Sequence, residues 1–343
     1  MVRASLLLLF CLSQPCWAEW SSDGHIKATG QQSLVSSHSR VNGEARINIS
    51  TTSEGWSWQF SGVAAQCDND TCQQARVDRA NLFLKRDALQ VTLGRHAISW
   101  GNGLIFNPVD IFNPFNPLAI DTEYKPGSDM LHVQYGLING DDIQGLWVDQ
   151  DAHHSSAIKY HHFGDTTEWD ALLADHLGET TLALGVSRPL GDWLWRAEWM
   201  QQRSKSGLIA NHLVTNIQRF FEFAGQPSGL TIELFHNGWG IDAASGEQQQ
   251  FELTTRMARG EIFTPGKDYL ALSLHRQMHP LWQLGLTHIS AADNDSHTSQ
   301  IFSNVDVSEA VQLRLAMVFP WRNSRLIEIP TERYLLAQLA WYF

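Results

Sequence analysis

Beyond residue 20 the chain alternates. Over stretches of nine to twelve residues apolar side chains recur at every second position, and a turn signal closes each stretch. Near the end, Leu335, Ala337, Leu339, Trp341 and Phe343 share one face, while Tyr334, Leu336, Gln338, Ala340 and Tyr342 share the other. Val311, Leu313, Leu315, Met317 and Phe319 oppose Gln312, Arg314 and Ala316. Trp193, Trp195, Ala197 and Trp199 oppose Arg196 and Glu198, and Ala45, Ile47 and Ile49 oppose Arg46 and Asn48. A period of two is that of a β-strand, because successive side chains point to opposite faces of the sheet. The chain therefore reads as all-β.

Three architectures produce such a pattern. A soluble sandwich needs strands of five or six residues. A solenoid needs a fixed sequence repeat, which is absent here. A transmembrane antiparallel β-barrel needs segments of about ten residues, apolar outside and polar inside, with aromatics near their ends. Trp56, Trp193, Trp282, Trp321 and Trp341 sit near segment ends. The barrel is the reading that fits.

Strands are expected near 23–32, 42–52, 56–66, 75–86, 89–99, 128–138, 141–150, 155–163 and 166–175. Others are expected near 178–188, 191–202, 214–224, 228–238, 267–277, 281–291, 298–305, 309–319 and 332–343. That makes about 16–18 strands. With both ends of the chain on the periplasmic side, the tight turns fall on one rim, at Ser53-Glu54-Gly55, Arg86-Asp87, Asn139-Gly140, Gly164-Asp165, Gly191-Asp192, Gln226-Pro227 and His279-Pro280. The long connections, around 100–127, 203–213, 239–266 and 320–331, fall on the other. Short periplasmic turns and long outer loops are the habit of outer-membrane barrels. Only the short connection near 176–177 breaks the rule.

Composition narrows the class further. Of 343 residues, 43% are hydrophobic and 17% charged, which excludes an intrinsically disordered chain. A formal charge of −12 argues against a nucleic-acid partner. No apolar run after the first twenty residues is long enough for a transmembrane helix. Arg3 followed by the apolar stretch Ala4–Leu12 and by Cys16-Trp17-Ala18 reads as a signal peptide over 1–18, leaving 19–343 as the barrel. In an oxidising compartment Cys67 and Cys72 are expected to form a disulfide across a small loop, with a redox or metal pair as the alternative. Trp341 and Phe343 form a terminal aromatic pattern that resembles the insertion signal of bacterial outer-membrane barrels. That implies the barrel-assembly machinery as a partner, besides outer-membrane lipids and lipopolysaccharide.

The densest motif is Gly94-Arg95-His96-Ala97-Ile98-Ser99-Trp100-Gly101, followed by Asn107-Pro108-Val109-Asp110 and Asn113-Pro114-Phe115-Asn116-Pro117. It resembles the G-R-Q-x-x-x-W-G … N-P-x-D signature of a poorly characterised family of Gram-negative porin-like barrels, with His96 in place of the usual Gln. The resemblance implies an outer-membrane location and a channel-like fold, and supplies no substrate. From the residues themselves, three Asn-Pro pairs forbid both helix and ladder pairing. A stretch carrying Leu104, Ile105, Phe106, Ile111, Phe112 and Phe115 is too apolar to stand in water. It is expected to fold into the barrel mouth as a constriction formed by Arg95, Trp100, Phe106, Asp110, Phe112 and Phe115; packing over the rim, with no role in passage, is the alternative. Arg95 breaks the outward alternation of Leu89, Val91 and Leu93, and a bulge would re-aim it inward.

The inward charges are Arg46, Arg79, Lys85, Arg196, Glu198, Glu233 and Arg314, five basic and two acidic. A basic lumen favours anionic solutes. Paired Arg–Glu contacts that hold the wall are the alternative, with Arg196 and Glu198 on one face. No catalytic or cofactor motif occurs, and no metal site is expected, since His153-His154 and His161-His162 are tandem pairs that point to opposite faces. The function expected is a porin-like channel for passive or facilitated diffusion of small solutes. The rivals are a scaffold or export barrel whose lumen holds a partner or plug, and an outer-membrane lipid hydrolase using His236.

Overall fold

In the computed structural model the chain is described at residues 18–67, 74–114, 116–117, 119, 121–150, 153–242, 244–292, 296–321 and 333–343. The signal-peptide reading of 1–18 falls almost wholly outside these residues, as do Phe115, Cys72 and the side chain of Cys67. Eighteen strands form one closed antiparallel sheet. They are β1 (Glu19–Ser33), β2 (Ser39–Ser53), β3 (Trp56–Cys67), β4 (Gln74–Arg86), β5 (Leu89–His96) and β6 (Ser128–Gly136). Then come β7 (Asp142–Gln150), β8 (His153–His162), β9 (Glu168–His176), β10 (Glu179–Leu190), β11 (Trp193–Arg203) and β12 (Ile209–Phe223). The circle continues with β13 (Gln226–His236), β14 (Asp268–His279), β15 (Trp282–Ala291), β16 (His297–Ser308), β17 (Val311–Trp321) and β18 (Tyr334–Tyr342). Each strand pairs with its sequence neighbours, and β1 pairs with β18 from His25↔Tyr342 to Ser33↔Tyr334, so no edge is left.

The expected alternation is the alternation observed. On β18, Leu335, Leu339 and Trp341 are exposed, while Ala340 and Gln338 are buried towards the interior. Aromatics cluster outside near the tight-turn rim: Trp20 meets Trp58 edge-on at 5.4 Å, Trp341 meets Phe343 at 5.3 Å, and Trp169, Trp282 and Phe223 are exposed nearby. The boundaries differ by up to five residues, as where β1 starts at Glu19 rather than near 23, and two differences bear on the site. β5 stops at His96 rather than near 99, and β12 starts at Ile209, five residues earlier than its pattern suggested. The extra residues of β12 alternate too, but Asn211 and His212 interrupt the apolar signal.

The β9–β10 connection is a turn on the long-loop rim. Its two residues, Leu177 and Gly178, both have positive φ (55° and 80°), the form that matches strand twist in a two-residue hairpin. The physical reason for its shortness lies in the β13–β14 loop, which carries a helix, α1 (Glu247–Ala258), that the alternating pattern could not announce. Arg256 of α1 is wholly buried. It donates to Glu179 at the start of β10 and to Glu252 (2.8 Å), and stacks on Trp239 with its guanidinium 4.0 Å from the ring centre. A longer β9–β10 loop would occupy that space.

Burying this cation is tolerable only because both carboxylates face it. Arg256→Met is expected to cost on the order of 3 kcal/mol, since Glu179 and Glu252 lose their shared partner. The measurement is the urea midpoint of the detergent-solubilised barrel, together with protease cleavage within 244–264; an unshifted midpoint and an uncut loop would contradict it.

Candidate functional site: a loop folded into the barrel

The chain leaves β5 after His96 and returns at Ser128, and between them it crosses the interior. Ile98, Trp100, Val109, Ile111 and Phe112 pack on one inner wall, against Met130, Leu146, Val148, Leu172, Ala174, Ala183 and Met200 of β6, β7 and β9–β11. Phe106, only 3% exposed, packs on the adjoining stretch of wall against Val214, Phe235, Tyr269, Ala271, Ile289 and Ala291 of β12–β15, with Phe235 stacked 4.8 Å from it. The inner wall is thus apolar where the loop lies on it, contrary to the simple expectation of a polar interior. Apolar area on both partners leaves water together, which is the main force holding the loop in.

Buried polar groups fix the path between these two patches. Glu233 on β13, with no exposure, accepts three consecutive backbone N–H groups, from Leu104 (2.7 Å), Ile105 (2.9 Å) and Phe106 (2.6 Å), and Asn216 Nδ2 at 3.0 Å. Glu198 on β11 accepts the Asn102 N–H at 3.4 Å. Gly101 beside it has φ +103°, and a Cβ there would stand 2.1 Å from Asn107 Oδ1 and 3.0 Å from Glu198 Oε1, so only glycine fits. The Asn side chains of the Asn-Pro pairs supply what the prolines cannot. Asn107 Nδ2 donates to the Trp100 carbonyl (2.9 Å), Asn113 Oδ1 accepts the Ile98 N–H (3.1 Å), and Asn113 Nδ2 donates to the Pro126 carbonyl (2.9 Å). Lys125 pairs with Asp110 and donates to Ser99 Oγ at 2.7 Å.

The loop's last stretch reaches a third wall. Lys27 on β1 donates to Asp121 and to Glu123, both at 2.7 Å. Gln338 Nε2 and Tyr342 Oη on β18 add bonds of 3.1 Å to Asp121 and 2.9 Å to Glu123. Arg314 on β17 stands 3.5 Å from Asp121. Tyr124 lies under the Arg46 guanidinium at 4.0 Å, and Arg46 pairs with Asp78. Above this contact, towards the long-loop rim, a cavity of about 410 Å³ opens between Lys27, Thr29, Gln31, Asn42, Glu44, Asp121 and Gln338.

Of the residues expected at the constriction, Trp100, Phe106, Asp110 and Phe112 are buried inside, Phe106 in a different cluster from Trp100 and Phe112, and Phe115 lies outside the described residues. Arg95 does not join them. Pairing runs without a shift through Ala80↔Arg95 and Arg95↔Asp129, so no bulge turns it inward. It keeps the face of Leu93 and holds Asp129 with two bonds of 2.8 and 2.7 Å. The bulge is on β4 instead, where Ser61↔Arg79 gives way to Gly62↔Val77 and leaves Asp78 extra. That aims both Asp78 and Arg79 inward. Arg79 then donates to the carbonyls of Asp78 and Lys125, both at 2.8 Å. The alternative reading, an Arg196–Glu198 pair, is not what forms: Arg196 bonds Asn216 (3.4 Å) and Gln218 (3.3 Å). Arg314 bonds Asn304 and Gln312, each at 3.2 Å.

Lys27, Asp78, Asp121, Glu123, Tyr124 and Lys125 were not anticipated. Lys27 was within reach, since it shares parity with Thr29 and Gln31 against Ile26 and Ala28. The others depend on a register and a fold-back that alternation does not encode. For the hydrolase reading, His236 pairs with Asp268 at 2.7 Å on the outward face of Leu234. Ser155 and His176 do meet at 3.1 Å, but the serine is 1% exposed and its hydroxyl also accepts the Leu177 N–H.

No family model matches the chain, and no curated protein resembles it in sequence. Solved structures do resemble it in fold. OccK5 (OpdH) of Pseudomonas aeruginosa is 7% identical with a TM-score of 0.65, over 95% of this chain and 98% of its own. OccK11 (OpdR) of the same organism gives 10% and 0.66, over 95% and 96%. A triple mutant of the Rhodopseudomonas blastica porin gives 11% and 0.54, over 95% and 100%. The chain is thus a closed 18-strand barrel whose fold resembles these structures.

Two measurements check the loop's anchors. Glu233→Ala strips three amides of their acceptor, at about 1–3 kcal/mol for each group left unsatisfied; faster proteolysis within 98–112 is expected, and unchanged cleavage would count against the anchor. Burial pushes the Asp110 carboxyl up to about 6, against the bond and charge of Lys125. The folded protein therefore holds this proton more tightly than the unfolded chain, and stability rises as pH falls through 6, by at most about 3 kcal/mol. Asp110→Asn should remove that part of the rise between pH 7 and 5, read as the difference between two thermal-melting series.

Proposed function

We propose that the protein is an outer-membrane channel for diffusion of small solutes, with the 97–127 loop setting its bore. The observation that carries this reading is the loop itself: a segment anchored by apolar contacts on two adjoining stretches of the inner wall, beside a cavity whose lining includes Lys27, Glu44 and Asp121. A barrel that only sealed its ends would have no use for ion-paired polar groups halfway across. Its location follows from the outward apolar belt with aromatics at one rim, which suits a bilayer and its interface, and the Gly94–Gly101 and Asn107–Asp110 signature adds support from the family it resembles. Outer-membrane lipid, lipopolysaccharide and the assembly machinery that reads a terminal Phe343 are the partners this implies.

Solute preference follows from the inward charges. Arg46, Lys27 and Arg314 pair with carboxylates, whereas Arg79 and Arg196 bond carbonyl and amide oxygens and have only more distant counter-charges in Asp78 and Glu233. That favours anions. A plugged scaffold or export barrel is the second reading, supported by the number of walls the loop touches.

Single-channel recording in planar bilayers separates the two. Stable openings in the intact protein that widen at least twofold on deleting 104–118 support the channel; silence in the intact protein, with openings only after the deletion, supports the plug. Arg79→Gln with Arg196→Gln should lower the anion-to-cation permeability ratio. Arg95→Glu, on the outward face, should leave the reversal potential unchanged.

A further inference from the structure

On the outside of the barrel an exposed aromatic ring meets lipid and its interface. One row of rings faces the other way. Leu270, Leu272 and Leu274 of β14 and Leu284 and Leu286 of β15 are exposed on the outer face, so alternation turns His275 and Gly285 inward. The register Phe220↔Gly229↔His275↔Gly285↔Phe302 then draws a line across β12 to β16 on which ring and glycine alternate, all on the lumen side. The glycines let the rings lie down. A Cβ on Gly229 would stand 2.2 and 2.4 Å from Cε1 and Nε2 of His275, and one on Gly285 would stand 2.1 and 2.4 Å from Cζ and Cε1 of Phe302. Each of these rings therefore covers the bare backbone of the next strand, and each is half-buried, with its other side towards the interior. Phe220, across Gly229 from His275, stands 6.0 Å from that ring and is 66% exposed.

The inward side chains beside the row are mostly hydroxyls and amides. Thr231, Ser273 and Thr287 stand one inward position towards the loop, and Glu222, Gln277 and Gln283 one towards the tight-turn rim. A cavity of about 430 Å³ opens against Phe220, Glu222, His275, Gln277 and Gln283, a size ordinary for a small-molecule site. Ala271 and Ile289, which seat Phe106, lie four residues from His275 and Gly285, so the row is about 13 Å nearer the tight-turn rim than that contact. A solute that has cleared the loop meets the row next.

We propose that this row is a binding lane for neutral pyranose sugars. Exposed apolar surface gathered in one place marks a site of contact, and here the partner has to match flat rings and a polar border together. A pyranose does so. Its C–H bonds make a flat face that stacks on the electron-rich face of an aromatic ring, while its hydroxyls project at the edge, where the Thr, Ser, Gln and Glu side chains are. A wholly apolar solute would leave that border unpaired, and a small ion has no face to stack. Arg79 and Arg196 bear on ions; the lane adds uncharged ring-shaped solutes to what crosses.

This rests on the channel reading, and the readouts keep the two apart. Maltose and cellobiose are expected to reduce the ion current of wild-type barrels in planar bilayers in a saturable way. Sorbitol at equal concentration, with hydroxyls but no ring, is not. Phe220→Leu with Phe302→Leu keeps the sites apolar and removes the faces: the half-blocking sugar concentration should rise at least tenfold, while sugar-free conductance stays within a fifth of wild type and shows the barrel intact. Phe220→Trp widens a face and should lower that concentration at least twofold, a gain that no folding defect imitates. Saturation-transfer NMR in a sugar-free detergent reads the contact without conduction, and transfer to the pyranose C–H protons should fall at least threefold in the doubly substituted variant. Block and transfer that are absent with both sugars, or equal in wild type and that variant, overturn the lane and leave a conducting channel standing; so does sorbitol blocking as maltose does. Transfer that depends on the two phenylalanines in a barrel passing no current upholds the lane and overturns the channel.

Discussion

A sheet with no edge is the condition on which the rest depends. Where water is absent a backbone N–H or C=O has to be satisfied within the protein, and a cylinder is the only sheet that satisfies every one. Closing β1 on β18 meets that demand for eighteen strands, and it has two consequences. Side chains are sorted into outward and inward sets, because a slip by one residue would turn a whole strand over, and the order breaks only where a bulge such as that at Asp78 inserts a residue. The circle of strands also encloses a space wider than inward side chains alone can fill.

How that space is filled decides what the molecule can do. The 97–127 loop takes much of it, held by apolar patches on β6–β11 and on the adjoining β12–β15 and by buried carboxylates that accept loop amides. Glu233 takes three successive N–H groups and fixes the backbone at Leu104–Phe106 better than side-chain contacts would. Asp110 and Lys125 tie the loop's outgoing and returning arms together. The second in-folded segment, with α1, is held by the same device in reverse, as one buried guanidinium serves Glu179 and Glu252. Charges here are spent mainly on position. Those that bond no carboxylate are few, Arg79 and Arg196 among them.

Most of the fold was legible in the order of residues. Alternation in segments such as Val311–Phe319 and Trp193–Trp199 was enough to mark strands, and the Asn-Gly and Gly-Asp turns fixed which rim each connection belongs to. The apolar, proline-punctuated run from Leu104 to Pro117 identified a segment that had to bury itself. Arg95 shows where such reading fails. Its place in the motif drew it towards the lumen, but the sequence of one strand does not say where its neighbour carries a bulge, and the extra residue proved to be Asp78.

The sequence by itself determined the period, the strand count to within a hairpin, the sidedness of the loops and the identity of the buried aromatics, because each is a property of neighbours along the chain. Only the tertiary structure decided which inward groups meet: Lys27 with Asp121 and Glu123, Glu233 with Leu104–Phe106, Arg256 with Glu179. These partners lie between 77 and 129 residues apart. They are brought together by closure and by the loop's path across the interior, and neither leaves a mark on local periodicity.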